Sequence, residues 1–391
     1  FRERVDFLAL QDDNAGALRA VESSRARVLA ESLGRASKPQ PFPDLRGLQN
    51  FAKSTDSYLL SFWLAPKRSF AWLIGAKDTQ RFQLPGSAEI EKLVTGYRTV
   101  VEHSIEDPIR ANDAVGAALW NELLAEIAPR IPKNSRVIVV PDGPLHRLNL
   151  ETLVVPSAHP HYWIEDVELA VSPSITVAMS KWTPVPRNGE SLLLIGAPDY
   201  TGTSYEPLKG AEREIHDIEA RFPGTKPRVG PDATPAAYRE ANPDQFKLIH
   251  FAAHAEANEE RPLESVVVLS HQADPYKLYA RDVIDIPIHA DLVTLSACHS
   301  AGTRAYAGEG LMGFAWAFLQ AGAHAVVAGL WDASDQSTEP LMDKFYASIA
   351  QGQEPVSALR SAKLALLTGD VRFHKPFFWA PFQIYLGSAP K

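Results

Sequence analysis

The sequence predicts an α/β fold: a mostly parallel sheet covered by helices on both faces, preceded by a smaller mixed α/β lobe and short N-terminal helices. Three observations point there. From Ser191 onward, short apolar runs alternate with amphipathic stretches in the order expected of strands and crossover helices. Between Ser57 and Leu84 the runs YLLSFWLA, SFAWLIGA and RFQL are separated by turn-like residues, as in an antiparallel meander. The chain of 391 residues exceeds one compact core, so two lobes with a smaller appendage are expected.

Taken in order, residues 1 to about 36 carry apolar positions at helical spacing (Val5, Leu8, Val21, Leu29, Leu33), ending at Gly34. The Pro-rich stretch Pro39 to Pro43 then reads as a linker. The first lobe continues after the meander with helices at about 87–106 and 112–129 and a buried strand at Arg136 to Pro141. In the second lobe, helices are expected at 210–222, 234–241, 308–321, 336–350 and 354–368, and strands at 191–196, 247–252, 264–270, 291–297, 324–330 and about 381–387. The domain boundaries are therefore set at 1–40, 41–185 and 186–391.

Composition narrows function. Hydrophobic residues make up 45% of the chain and charged ones 22%, the balance of an ordinary globular protein. A net charge of −8 without a Lys/Arg stripe argues against a direct nucleic-acid partner. The longest apolar runs, such as Ala325 to Trp331, are too short to span a bilayer, and no signal segment is visible, so neither membrane nor secretion is expected. The chain opens at Phe1 inside helical pattern and is expected to be part of a longer protein. Its single cysteine, Cys298, forms no intrachain disulfide and fits a reducing, cytoplasmic location.

Two strand ends carry the chemistry. LIHFAAH terminates at His254 and DLVTLSAC at Cys298. Functional groups gather at the carboxyl ends of parallel strands, so these side chains are expected over one edge of the sheet. A thiol is mostly protonated at neutral pH and needs an imidazole to take its proton, which makes His254 the candidate base and Cys298 the nucleophile. The backbone N–H groups of Ala255 and Cys298 are the natural oxyanion donors.

The stretch from about Asp142 to Ser388 resembles the CHAT family, peptidases related to caspases and separases and often appended to tetratricopeptide repeats. The resemblance rests on GPLHRLNLETL (143–153), LIGAPDY (194–200), GAEREI (210–215), HFAAHAE (250–256), PLESVVVL (262–269), DLVTLSACHS (291–300), GEGLMGFAWAFLQAGAHAVVAGLWDASD (308–335) and FWAPFQIYLG (378–387). In caspases the His precedes an Ala-Cys pair by about 50 residues; here His254 precedes Cys298 by 44, with Ala297 before the Cys. The chain departs from the family in having Ala255 where Gly follows the His, and His299, Ser300, Ala301 and Gly302 after the Cys.

The resemblance implies a caspase-like three-layer sandwich with the 186–391 lobe catalytic and the 41–185 lobe a related, inactive one. It implies a cysteine endopeptidase acting on protein substrates through a thioester acyl-enzyme, with no metal or organic cofactor. The N-terminal helices would then be the end of a tetratricopeptide array or a packing extension, the former offering a regulatory partner a surface. GLWDASD is similar to the LWDVTD run of separases, which implies that Asp332, Asp335 or, less readily, Glu339 lines a pocket for a basic residue; Asp335 is also placed to cap a helix.

Two alternatives stay open: a non-catalytic or partner-activated signalling scaffold, and an acyl-transfer or esterase-like hydrolase using the same dyad. His271, His289, His299 and His324 lack metal-ligand spacing and are read as non-ligands. Glu309 is expected at the start of the 308–321 helix and Gly322 at its end, with Phe314, Trp316 and Phe318 in the core.

Overall fold

The structure, a computed structural model, describes residues 2–25, 42–183, 192–258, 260–271, 276–297, 304–306 and 310–388. The chain forms two compact units, Phe1–Lys181 with Ala305–Gly310 and Ser388–Lys391, and Trp182–Arg304 with Leu311–Gly387.

In the first unit, two N-terminal helices, Arg2–Leu10 and Asn14–Glu22, are separated where Asp12 takes a left-handed φ of 57°. The meander forms as expected from β1 (Ser57–Trp63), β2 (Ser69–Ile74) and β3 (Thr79–Leu84), all antiparallel. β4 (Ser135–Val140) runs parallel to β1; after the short hairpin β5 (Val154–Val155) and β6 (His161–Tyr162), β7 (Val167–Val171) runs parallel to β4. Helices Ser87–Glu102 and Ala114–Leu123 follow the meander.

Arg25 keys the N-terminal helices into this unit. It is 6% exposed, and its guanidinium donates to Ser61 Oγ at 3.1 Å and to the Phe62 carbonyl. Two carboxylates flank it, Glu22 at 3.9 Å and Asp142 at 4.0 Å. Glu22 in turn accepts from Thr176 N–H and Oγ, both at 3.0 Å, and Asp142 accepts from Leu64 N–H at 2.7 Å.

His146, beside this cluster, is pushed down from its usual value to about 4, chiefly by desolvation, with Arg25 assisting and Asp142 opposing. A His with a depressed folded pKa contributes stability that is present above its unfolded pKa and lost as pH falls toward the folded value. Unfolding stability is therefore expected to fall between pH 6.5 and about 4, by roughly 2 kcal/mol once solvent access to the ring is discounted. Thermal melts across that range should show a shallower slope for His146→Gln than for the native chain.

The second unit is a three-layer sandwich. Its sheet comprises β8 (Leu192–Pro198), β9 (Arg228–Gly230), β10 (Leu248–Ala252), β14 (Leu292–Ser296), β17 (Ala325–Gly329) and β18 (Phe382–Leu386), in the order β18-β17-β14-β10-β8-β9. All neighbours are parallel except β17 and β18. β10, β14 and β17 are buried at every residue, as expected of parallel strands covered on both faces.

Alternation along β10 sorts the layers. Phe251 packs against Tyr238 and Phe318 of helices Pro235–Glu240 and Phe314–Ala321, with ring centroids 5.6 and 5.9 Å away. On the opposite face His250 meets Tyr346 of helix Asp335–Ala350 and Glu214 of helix Lys209–Arg221. Gly196 of β8 lies under this second pair of helices: a Cβ there would come within 2.7 Å of Ile215 Cδ1 and 2.8 Å of Ala252 Cβ. Helix Pro355–Thr368 completes the covering elements.

Beyond the sheet, β11 (His254–Glu256), β12 (Val266–Val268) and β13 (Lys277–Tyr279) form a small antiparallel sheet. Short strands β15 (Arg304–Tyr306) and β16 (Gly310–Met312) follow β14. The helix expected over 308–321 begins only at Phe314, because Gly310 and Gly313 oppose helix by about 1 kcal/mol each relative to Ala. Glu309 lies outside the described residues. Gly322 ends this helix at a φ of 117°, where a Cβ would also strike the Ile288 carbonyl.

Candidate active site

β10 and β14 are paired in register, Ala252 opposite Ser296. His254 follows Ala252 by two residues, and Cys298 follows Ser296 by two. The sequence-predicted base and nucleophile thus leave the ends of adjacent parallel strands at equal offsets. His254 is half-buried at the start of β11; Cys298 lies outside the described residues, with Ala297 buried just before it.

The imidazole is oriented by its surroundings. His254 Nε2 lies 2.8 Å from the carbonyl oxygen of Glu206. A carbonyl only accepts, so Nε2 carries the proton and, in the neutral ring, Nδ1 holds the free lone pair. Tyr200 and Tyr205 flank the ring, with centroids 5.1 and 5.7 Å from it.

Tyr200 also sets the backbone. Its hydroxyl accepts from His254 N–H at 2.9 Å and donates to the Val268 carbonyl at 3.1 Å, so it sits between two groups of paired residues that would otherwise bond directly. Leu269 N–H donates to Tyr276 O and Ala280 N–H to Ser265 O, both at 2.9 Å. By antiparallel alternation Val267 then turns its backbone groups toward β13, and Ala255, opposite Val267, faces its N–H away from β12. That is the orientation an oxyanion donor requires. Ala255 is not at positive φ, so Ala in place of the family's Gly carries no backbone strain here.

A charged rim continues from the His. Glu256 accepts from Tyr205 OH and, at 3.0 Å, from Lys277 Nζ. Partial burial alone would raise the Glu256 carboxyl, but these two donors outweigh it and hold the carboxyl below its usual range. Burial likewise opposes charge on Lys277, and Glu256 overrides it, keeping the ammonium charged.

Replacing Tyr200 by Phe strands the Val268 carbonyl and removes the acceptor of His254 N–H. The expected loss is about 1–3 kcal/mol in unfolding free energy. Urea midpoints of Tyr200→Phe and Tyr205→Phe check it, the second being the smaller because Tyr205 is only half-buried.

The acidic residues of the GLWDASD segment separate. Asp332 is exposed midway along the segment. Asp335 does not cap its own helix: Ser334 holds the cap position, and Asp335 is the first helical residue. Its Oδ2 instead accepts from Gly210 N–H at 2.9 Å, supplying the helix Lys209–Arg221 with the cap that Leu208 lacks. Glu339 pairs with Arg213 at 2.8 Å, and Asp343 with Arg221. The spacing 335, 339 and 343 therefore lines one helix face along its neighbour.

The other histidines have structural surroundings. His271 packs edge-on against Tyr276, His289 pairs with Asp244 at 2.6 Å, and buried His324 stacks on Trp182. His299 lies outside the described residues. Among the described residues no three His, Cys, Asp or Glu converge as a metal site, and no helix is long and apolar enough to cross a membrane.

Tyr200, Tyr205 and Glu206 were not singled out from sequence. The signal was available: Asp199 and Tyr200 directly follow a strand whose carboxyl end opens on the same edge as those leading to His254 and Cys298.

A parallel three-layer unit with a His at one strand end, and the adjacent strand leading into the sole Cys, defines a caspase-like α/β architecture. Residues 113–388 match the CHAT domain, and the chain belongs to that family. It is similar to tetratricopeptide repeat protein 28 of Homo sapiens, 24% identical over 335 residues covering 73% of this chain. The mouse protein of the same name is 32% identical over 114 residues, 29% of this chain. The matched regions span 13% and 4% of those relatives. In fold, the chain is similar to the Saccharomyces cerevisiae separase–securin complex, with a TM-score of 0.55 at 10% identity, covering 87% of this chain and 30% of that one.

Proposed function

We propose that this chain is a cysteine endopeptidase that cleaves protein substrates with Cys298 as nucleophile and His254 as general base and acid. The observation that carries the proposal is the anchoring of His254 Nε2 on the Glu206 carbonyl at the end of a strand paired in register with the one leading to Cys298. That anchor leaves Nδ1 to exchange a proton with a thiol.

In this reading Cys298 passes its proton to His254 and its sulfur bonds to the scissile carbonyl carbon. The Ala255 and Cys298 N–H groups hold the oxyanion. The imidazolium then protonates the leaving amine, the C–N bond breaks, and a thioester remains. Water, deprotonated by the same His, releases the acid and restores the thiol. The chemistry requires no cofactor.

For specificity, we assign Asp332 as the acidic side chain that receives a basic residue before the cut bond, with Asp335 securing the segment through Gly210. The N-terminal helices are the surface through which a regulatory protein would act, and the lobe ahead of the catalytic one serves as support without chemistry of its own. The lone cysteine favours a reducing compartment such as the cytoplasm.

The test is digestion of a proteome-derived peptide library, with cleavage sites read by mass spectrometry. Cuts after Lys or Arg that vanish in Cys298→Ala are expected. Identical product lists from native and Cys298→Ala chains would displace the peptidase reading in favour of a signalling scaffold.

A further inference from the structure

A second histidine, in the strand β10 that leads to His254, is buried beneath the sheet and unused by the chemistry above. His250 is fully buried, with Nδ1 3.0 Å from Tyr346 OH and Nε2 2.9 Å from Glu214 Oε1, off the axis of a hydrogen bond. Tyr346 donates to Thr294 Oγ at 2.9 Å, and Ser296 Oγ donates to Glu214 Oε2 at 3.0 Å. Glu214, Thr294, Ser296 and Tyr346 are all buried, none more than 8% exposed.

Hydrogen-bond accounting orients the ring. Tyr346 spends its proton on Thr294, so it accepts from His250 Nδ1–H. Glu214 accepts from Ser296 on Oε2, and its Oε1 faces His250 Nε2 at 2.9 Å. A buried polar pair is a poor choice for stability alone, since apolar side chains of similar volume do as well. What it adds is geometry.

The network touches both catalytic strands at their functional ends. His250 stands four residues before His254, and Ser296 two before Cys298. One carboxylate, Glu214, bridges them from helix Lys209–Arg221, whose N-terminus is capped by Asp335 of the segment assigned to specificity.

We infer that Glu214 and Ser296, together with His250, are positioning residues that lock the exit of the His strand against the exit of the Cys strand. The inference rests on the peptidase reading for its catalytic consequence. Its structural half, a carboxylate clamp across two strand ends, stands on the contacts themselves.

The test uses the full chain and two readouts. Ser296→Ala removes the bridge and leaves the Glu214–His250 contact, while Ser296→Thr keeps a hydroxyl. With a peptidyl acyloxymethyl ketone bearing Arg at its reactive end, Ser296→Ala is expected to lower the limiting rate of Cys298 alkylation about 10- to 100-fold. The half-saturating concentration should change little while the urea midpoint falls modestly as Glu214 Oε2 loses its donor, and Ser296→Thr should recover the native rate to within about threefold. An unchanged limiting rate, or a loss carried by half-saturation with no recovery in Ser296→Thr, overturns the inference.

The second readout is independent of catalysis. Amide hydrogen exchange at 249–254 and 292–297 is expected to quicken together about tenfold in Ser296→Ala. If the native chain is not alkylated at all, the peptidase reading fails, and exchange alone decides the clamp: coupled loss of protection supports it, and unchanged protection overturns it.

Discussion

Cleavage by His254→Ala is expected to be slower than native by about 10²–10⁴-fold, the usual contribution of a positioned acid and base. The effect should fall on kcat, because the neighbouring rim of Tyr205, Glu256 and Lys277 keeps its own hydrogen bonds without the imidazole. His254→Gln should not rescue: an amide can satisfy the Glu206 carbonyl as Nε2 does, but it cannot take the thiol proton. Initial rates on one peptide, with melting curves showing intact folding, measure this. An equal rate in His254→Ala would remove the base from the mechanism.

Arg25→Ala is expected to destabilise the first unit by about 3–5 kcal/mol, as when one member of a buried ion network is deleted. The truncation leaves the Glu22 carboxylate, the Ser61 hydroxyl and the Phe62 carbonyl without their cationic partner. Asp142 keeps its bond to Leu64 N–H, and Glu22 its bonds to Thr176, which bounds the damage. Denaturant unfolding of Arg25→Ala beside Arg25→Met checks it. Methionine should recover only the part owed to packing. A loss under about 1 kcal/mol for Arg25→Ala would mean that solvent replaces the guanidinium.

Both effects arise where distant parts of the chain meet, and this explains what could be read in the sequence. β10, β14 and β17 were legible because strands buried on both faces are continuous apolar runs of strand length bounded by turn residues. Helices Lys209–Arg221 and Pro355–Thr368 were legible from periodicity. His254 and Cys298 stood out in the sequence because each ends such a run.

Couplings across long separations were not. Ser296 meets Glu214 across 82 residues, His250 meets Tyr346 across 96, and Arg25 meets Ser61 across 36. No local pattern marks such pairs, since each side chain's role depends on register and layer order. The cap expected of Asp335 went to a different helix for a related reason. Read along the chain, Asp335 directly precedes the helix expected at 336–350; its partner Gly210, like the partners Arg213 of Glu339 and Arg221 of Asp343, lies on another helix. β12 falls within the strand expected at 264–270, though in the small antiparallel sheet and not the parallel one, while β11 and β13, three residues each, are too short for alternation to declare itself.

The composition of the chain makes it directly measurable whether Cys298 is an activated thiol or inert packing. With one cysteine in the chain, an intact-mass shift after a peptidyl electrophile reports Cys298 alone. Rapid, saturable modification of the native chain, slowed by orders of magnitude in His254→Ala, is the predicted result. Equally slow, non-saturable modification of both chains would contradict it.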